Sequence, residues 1–152
     1  MPSLWENLVI ALSALQAALM FIDEGIFHRR RGLGNFERYG HVADTLMFTI
    51  ALSVPYFLVP NQTGLIIYGV LALGSSLLIT KDEWIHADTC TGLEHWCHAM
   101  LFVLHGALLL CFGLLWFYDP QALILRLLPL GTLAFAAYQH IYWNVYVRRR
   151  HQ

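Results

Sequence analysis

LEHWCHAMLFVLHGALLLCFGLLWFY, residues 93–118, decides the fold. From His95 to Tyr118 it holds no Asp, Glu, Lys or Arg. Its length suits a helix crossing a bilayer, which needs about 20 mostly apolar residues. Its polar side chains crowd one end, at Glu94, His95 and His98, with only His105 deeper.

Comparable segments lie on either side. Residues 65–85 are apolar until Lys81-Asp82-Glu83, and residues 39–59 run up to the turn signal Pro60-Asn61-Gln62-Thr63-Gly64. Residues 4–27 end in His28-Arg29-Arg30-Arg31, and residues 122–147 follow Asp119-Pro120. The first segment lacks a basic residue before His28 and is long, which argues against a cleaved leader. The expectation is therefore an all-α, integral-membrane, antiparallel bundle of five transmembrane helices with short loops. Residues 1–152 form a single domain, with no repeat or linker.

Composition agrees. Apolar residues make up 58% and charged residues 12% of the 152, and mean hydropathy is +0.55. A soluble fold of this size has too much surface for its volume to hide so much apolar area. A formal net charge of −1 supplies no field for nucleic acid. Three cysteines, an odd number in or beside apolar segments, do not form a disulfide framework.

Orientation follows from the basic residues. Arg29, Arg30, Arg31, Arg38, Lys81, Arg148, Arg149 and Arg150 fall at one set of helix ends, and only Arg126 lies within the fifth span. This places the N-terminus outside and the C-terminus in the cytoplasm, as in a bacterial inner membrane.

The same ends hold eight of the ten acids and every histidine except His105. Residues three or four apart share a helix face. Glu24-x-x-x-His28, Glu37-x-x-x-His41, Glu94-x-x-x-His98 and Glu83-x-x-His86 have that spacing, and Asp82 falls four before His86. Carboxylates and imidazoles converging from facing helices are how helical bundles hold two metal ions. The expected ligands are Glu24, His28, His41, Asp44, Glu83, His86, Glu94, His98 and His140. Glu37 competes with Asp44 for the helix-two carboxylate, and His140 is a further ligand or an orienting partner. Asp23, Asp88 and His151 are expected in solvent, His105 as a bonded core residue, and Cys97 as packing. Trp84, Trp96, Tyr142, Trp143 and Tyr146 read as a membrane-interface belt, and Pro55 and Pro129 as helix kinks.

Mixed nitrogen and oxygen donors in this number exceed one tetrahedral zinc and suit two irons, with zinc or manganese as alternatives. In general design the arrangement resembles the integral-membrane desaturases and hydroxylases, whose histidine boxes lie at cytoplasmic helix ends. Glu83-Trp84-Ile85-His86 is similar to the Glu-x-x-His element of ferritin-like oxidases. Tandem His-His boxes are absent, and Glu-x-x-His occurs once. The expected function is oxidoreductase chemistry on a lipid or other hydrophobic substrate that enters laterally. Dioxygen or a peroxide would bind at an open metal position. Electrons would come from a cytoplasmic donor docked on the arginine runs, or through a larger membrane complex. A bis-histidine haem b subunit, a metal transporter and a zinc-dependent membrane hydrolase are the other classes the inventory admits.

Overall fold

The computed structural model describes residues 4–147. Arg148 to Arg150 and His151, used above for orientation and solvation, lie outside the described residues. Five helical rods make up the described chain, and no strand occurs among the described residues.

The first rod, α1, spans Leu4–Arg31. It is α-helical over Leu4–Ile22, widens into a π-helical turn over Asp23–Phe27, and closes with His28–Arg31. Gly32 ends it at φ +77, a backbone region that side-chain-bearing residues avoid. The second rod, α2, covers Asn35–Phe57, and its start is fixed by Glu37 reaching back to the Gly34 amide at 2.9 Å. The third, α3, spans Gln62–Thr89 with a tighter turn at 79–82; Asn61 caps it by accepting from the Gly64 amide. The fourth, α4, is Gly92–Tyr118, capped by Thr91. The fifth, α5, is Ile124–Gln139 and continues as a π-helical segment over His140–Val147. Helix α2 runs through Pro55 and α5 through Pro129 without ending at either.

The helices therefore reach further into the polar ends than the hydropathy boundaries suggest. Side-chain hydrogen bonds, rather than apolar runs, set the boundaries there. Three rods are long and apolar enough to cross a membrane: Leu4–Arg31, Gln62–Thr89 and Gly92–Tyr118. Helix α2 carries Glu37, Arg38, His41 and Asp44, and α5 carries Arg126, Gln139 and His140, which lower their hydropathy.

Packing runs around the bundle in the order α1–α4–α3–α2–α5, with α5 returning to α1 as the loosest junction. Along its axis the bundle has three zones. One end is a dry core built from Val9, Leu52, Tyr68, Phe112, Leu115, Trp116 and Leu125. Its members come from the starts of α1, α3 and α5 and the ends of α2 and α4. Gly113 packs against the Tyr68 ring, whose hydroxyl donates to the Leu109 carbonyl at 2.5 Å. The opposite end collects the ionisable side chains, and a cavity of about 990 Å³ lies between the zones. Outward faces stay apolar, with Phe21, Ile66, Val70, Val103, Leu110 and Leu130 all more than half exposed. Exposed apolar area on this scale marks an interaction surface.

Candidate metal centre

Four of the five rods bring an imidazole or carboxylate to one point, and the fifth brings hydrogen-bond donors. Asp23, Glu24 and His28 come from α1, Glu37 and His41 from α2, Asp82 and His86 from α3, and Glu94 and His98 from α4. Asp23, Glu24, His28, Glu37, Asp82, His86 and Glu94 are all buried. Ionisable groups are rarely buried unless paired or ligating.

The π-turn makes the α1 contribution. In a regular α-helix, Asp23 and His28 would point roughly 140° apart. The i to i+5 geometry of the wider turn brings Asp23 Oδ1 within 3.4 Å of His28 Nε2. Glu24 Oε2 lies 3.7 Å from His28 Nδ1, so both carboxylates face the same ring.

The imidazoles form a chain, His41–His28–His98–His86. The His28 and His41 rings are 4.7 Å apart, His28 and His98 5.8 Å, and His86 and His98 4.3 Å. Carboxylates sit at the edges. Glu24 Oε1 is 3.3 Å from His41 Nδ1, Asp23 Oδ1 is 3.0 Å from His98 Nε2, and Asp82 Oδ2 is 3.8 Å from His41 Nε2. Four sets of donor atoms lie within 4.8 Å of one another. They are Glu24/His28/His41, Asp23/His28/Glu94/His98, His41/Asp82/His86 and His86/Cys90/His98. Burial pushes the Cys90 thiol up to about 12, and the Glu94 carboxylate beside it adds to the rise. It is the poorest ligand of the set, since metals take thiolate.

The imidazoles are under-bonded. Both ring nitrogens of His28 and of His86, and Nδ1 of His98, are buried without a hydrogen bond. A buried polar atom left unpaired costs about 1–3 kcal/mol, so each of these calls for an explanation.

Two cations balance part of the acidity. Arg31 bridges Glu37 Oε1 at 2.8 Å and Glu94 Oε1 at 3.2 Å. Lys81 bridges Asp44 Oδ2 at 2.5 Å and Asp82 Oδ2 at 3.3 Å. Five buried carboxylates and the half-buried Asp44 thus face two cationic side chains. Histidines aside, these two ion-paired cations leave an excess of four negative charges among the described residues of the cluster.

Among the expected ligands, Glu24, His28, His41, His86, Glu94 and His98 come together. The other three stand elsewhere. Asp44 is tied to Lys81. Glu83 has a half-exposed side chain, 3.7 Å from His86 Nδ1. It is the first residue of the helical turn after 79–82, so it flanks the cluster instead of entering it. His140 is exposed, because Gln139 and Trp143 occupy the inward face of α5. Trp143 was expected in the interfacial belt; it is buried, and its indole donates to Glu24 Oε2 at 2.7 Å. Gln139 Nε2 donates to Glu24 Oε1 at 2.5 Å while its own oxygen accepts from Thr45. Asp23, expected in solvent, is buried, whereas Asp88 is exposed as expected. Glu37 is held by Arg31 and the Gly34 amide. His105 is a bonded core residue, 2.9 Å from Ser75 Oγ, and Cys97 packs in the interior.

Asp82 four before His86 and Gln139 four before Trp143 were readable spacings. The Asp23–His28 pair was not, since it needs the π-turn. No family model, curated protein or solved structure matches the chain.

Proposed function

We propose that the chain is an integral-membrane metalloprotein that binds two divalent ions, iron foremost, and uses them in oxidoreductase chemistry on a hydrophobic molecule. The observation that carries this reading is the set of buried, unbonded imidazole nitrogens on His28, His86 and His98 among buried carboxylates. Metal ligation gives one nitrogen of each of these rings its missing partner. Two divalent ions also carry the four positive charges that Arg31 and Lys81 leave unsupplied.

The donor sets divide between the ions without sharing an imidazole. One ion takes His28, His98, Asp23 and Glu94, and the other takes His41, His86 and Asp82. Glu24 faces His28 with one oxygen and His41 with the other, so it would be placed to serve both ions. Gln139 and Trp143 orient it, as hydrogen-bonded outer partners orient metal ligands generally. Two imidazoles and a carboxylate with open positions suit ferrous iron, and the same donors accept zinc. Once bound, the ions supply redox and Lewis-acid chemistry; the chain's own groups fix their spacing and keep the site dry.

All five rods cross the membrane in this reading. Polar groups of α2 and α5 turn inward and bond to each other, as Thr45 to Gln139 and Thr49 to Thr132, so lipid meets apolar faces. Arg29, Arg30, Arg31, Arg38 and Lys81 put the metal end in the cytoplasm and the N-terminus outside. The exposed Arg29 and Arg30 offer an acidic electron-donor protein a docking point.

Metal analysis and optical spectroscopy of detergent-purified protein test the proposal. About two irons per chain without a Soret band are expected. A Soret band would point to a bis-histidine haem subunit instead, and zinc alone to a hydrolase or transporter. A chain that takes up less than one ion after anaerobic loading would overturn the reading.

A further inference from the structure

The cavity is far larger than two ions require. At about 990 Å³ it lies at the top of the range for small-molecule sites. Its wall runs on α1 from Glu24 to Ser13, about 16 Å at 1.5 Å per residue. That is roughly the thickness of one hydrocarbon leaflet. Phe48, Phe102, Leu101, Leu108 and Phe135 make most of this stretch apolar.

The deep end is different. Ser13 and Gln16 line it, and Ser13 Oγ and Gln16 Oε1 are buried without a hydrogen-bond partner. Both belong to the inward stripe of α1 with Val9, Met20 and Glu24. They face the apolar part of the chamber, away from the ionisable cluster, where Thr132 is bonded to Thr49 and His105 to Ser75. Across the chamber, the Phe48 and His105 rings pack at 4.4 Å and form an aromatic wall.

The chamber opens sideways. Ala14, Ala17 and Phe21 of α1 and Gly131 and Tyr138 of α5 line the cavity and are exposed on the bundle's outside. This seam is the loosest junction of the bundle. Small residues at the depth of Ser13 and Gln16 leave the gap, and Gly131 has open space where a Cβ would stand.

We infer that this chamber binds a lipid-soluble phenol of the hydroquinone type. Its hydroxyls donate to Gln16 Oε1 and Ser13 Oγ, its ring lies against Phe48 and His105, and its tail leaves between α1 and α5 into the lipid. The donor requirement comes from Gln16 Oε1, an unpartnered acceptor, beside the unpartnered Ser13 hydroxyl, which can accept a second hydroxyl; the planar head comes from the aromatic wall and the single tail from the lateral seam. The inference rests on the membrane reading above and deepens the choice of substrate, but the contacts that define the head site involve no metal ligand.

Equilibrium binding of decylhydroquinone, its dimethyl ether and 1-decanol to detergent-purified protein tests it, with each titration run on metal-loaded and on chelator-treated protein. Metal content, measured separately, reports on the metal reading, so the two fail independently. The hydroquinone should bind both preparations at least tenfold more tightly than its ether or decanol. Gln16→Leu should weaken it about tenfold, the effect of one hydrogen bond to a buried acceptor. Gly131→Phe, which fills the seam from an exposed helical position, should weaken all three ligands while leaving the helical content unchanged. The ether binding as tightly as the hydroquinone would overturn the hydrogen-bonding head. Decanol binding as tightly would overturn the aromatic one. Unchanged affinity in Gly131→Phe would overturn the entry route and hence the placement.

Discussion

Trp143→Phe separates a ligand-orienting indole from an ordinary interfacial aromatic. The ring is 2% exposed, and its Nε1–H donates to Glu24 Oε2 at 2.7 Å. Phenylalanine keeps the aromatic bulk and removes the donor. Glu24 Oε1 keeps its Gln139 bond, so the variant removes one of the two α5 hydrogen bonds that hold the carboxylate. A hydrogen bond to a charged acceptor contributes about 1.5–3 kcal/mol, which corresponds to roughly tenfold to 150-fold in an equilibrium constant. Outer partners of metal ligands usually cost 10–100-fold in affinity when lost, so the two ranges agree. Competition against a chelator of known strength, read as metal retained per chain, measures the change. Trp96→Phe, at a residue 57% exposed, serves as the control and should stay within twofold of the parent. Equal metal affinity in Trp143→Phe and Trp96→Phe, with both folded by circular dichroism, would refute Glu24 as a bridging ligand held from α5.

Alanine at His98 should remove at least one ion per chain, whereas alanine at the exposed His140 should leave metal content unchanged; elemental analysis decides. Metal retention should fall as pH drops through the imidazole range near 6.5, because protons compete for the ligating nitrogens, and dialysis across pH 8 to 5 followed by metal analysis tests this. Chelation should lower the melting temperature in detergent, since the carboxylates would lose their counter-charge; saturating metal at 100 times its Kd is worth about 2.7 kcal/mol. Gly64→Ala should destabilise by about 1–3 kcal/mol, because its Cβ would meet the Val59 carbonyl and the Trp116 ring, and a lowered melting temperature is the readout.

Much of this protein was legible in one dimension. Apolar runs of spanning length, broken by Pro60-Asn61 and Asp119-Pro120, mark the helices, because a helix pairs its own backbone groups and leaves its side chains free to be apolar. The one-sided acids and histidines placed the cluster at one end, since short connections force successive helices to alternate. Spacings of three and four found Glu24 with His28 and Glu94 with His98, because the 3.6-residue period is local. Tertiary structure decided what no period encodes. The π-turn at Asp23–Phe27 rotates Asp23 onto the face of His28, and counting residues on an ideal helix points it to solvent. Gln139 and Trp143 displace His140 because the face α5 presents depends on its packing against α1 and α2. Glu83 and Asp44 fall outside the cluster for the same reason. Lys81 reaches Asp44 on α2, and which carboxylates a cation meets depends on three-dimensional contact between helices.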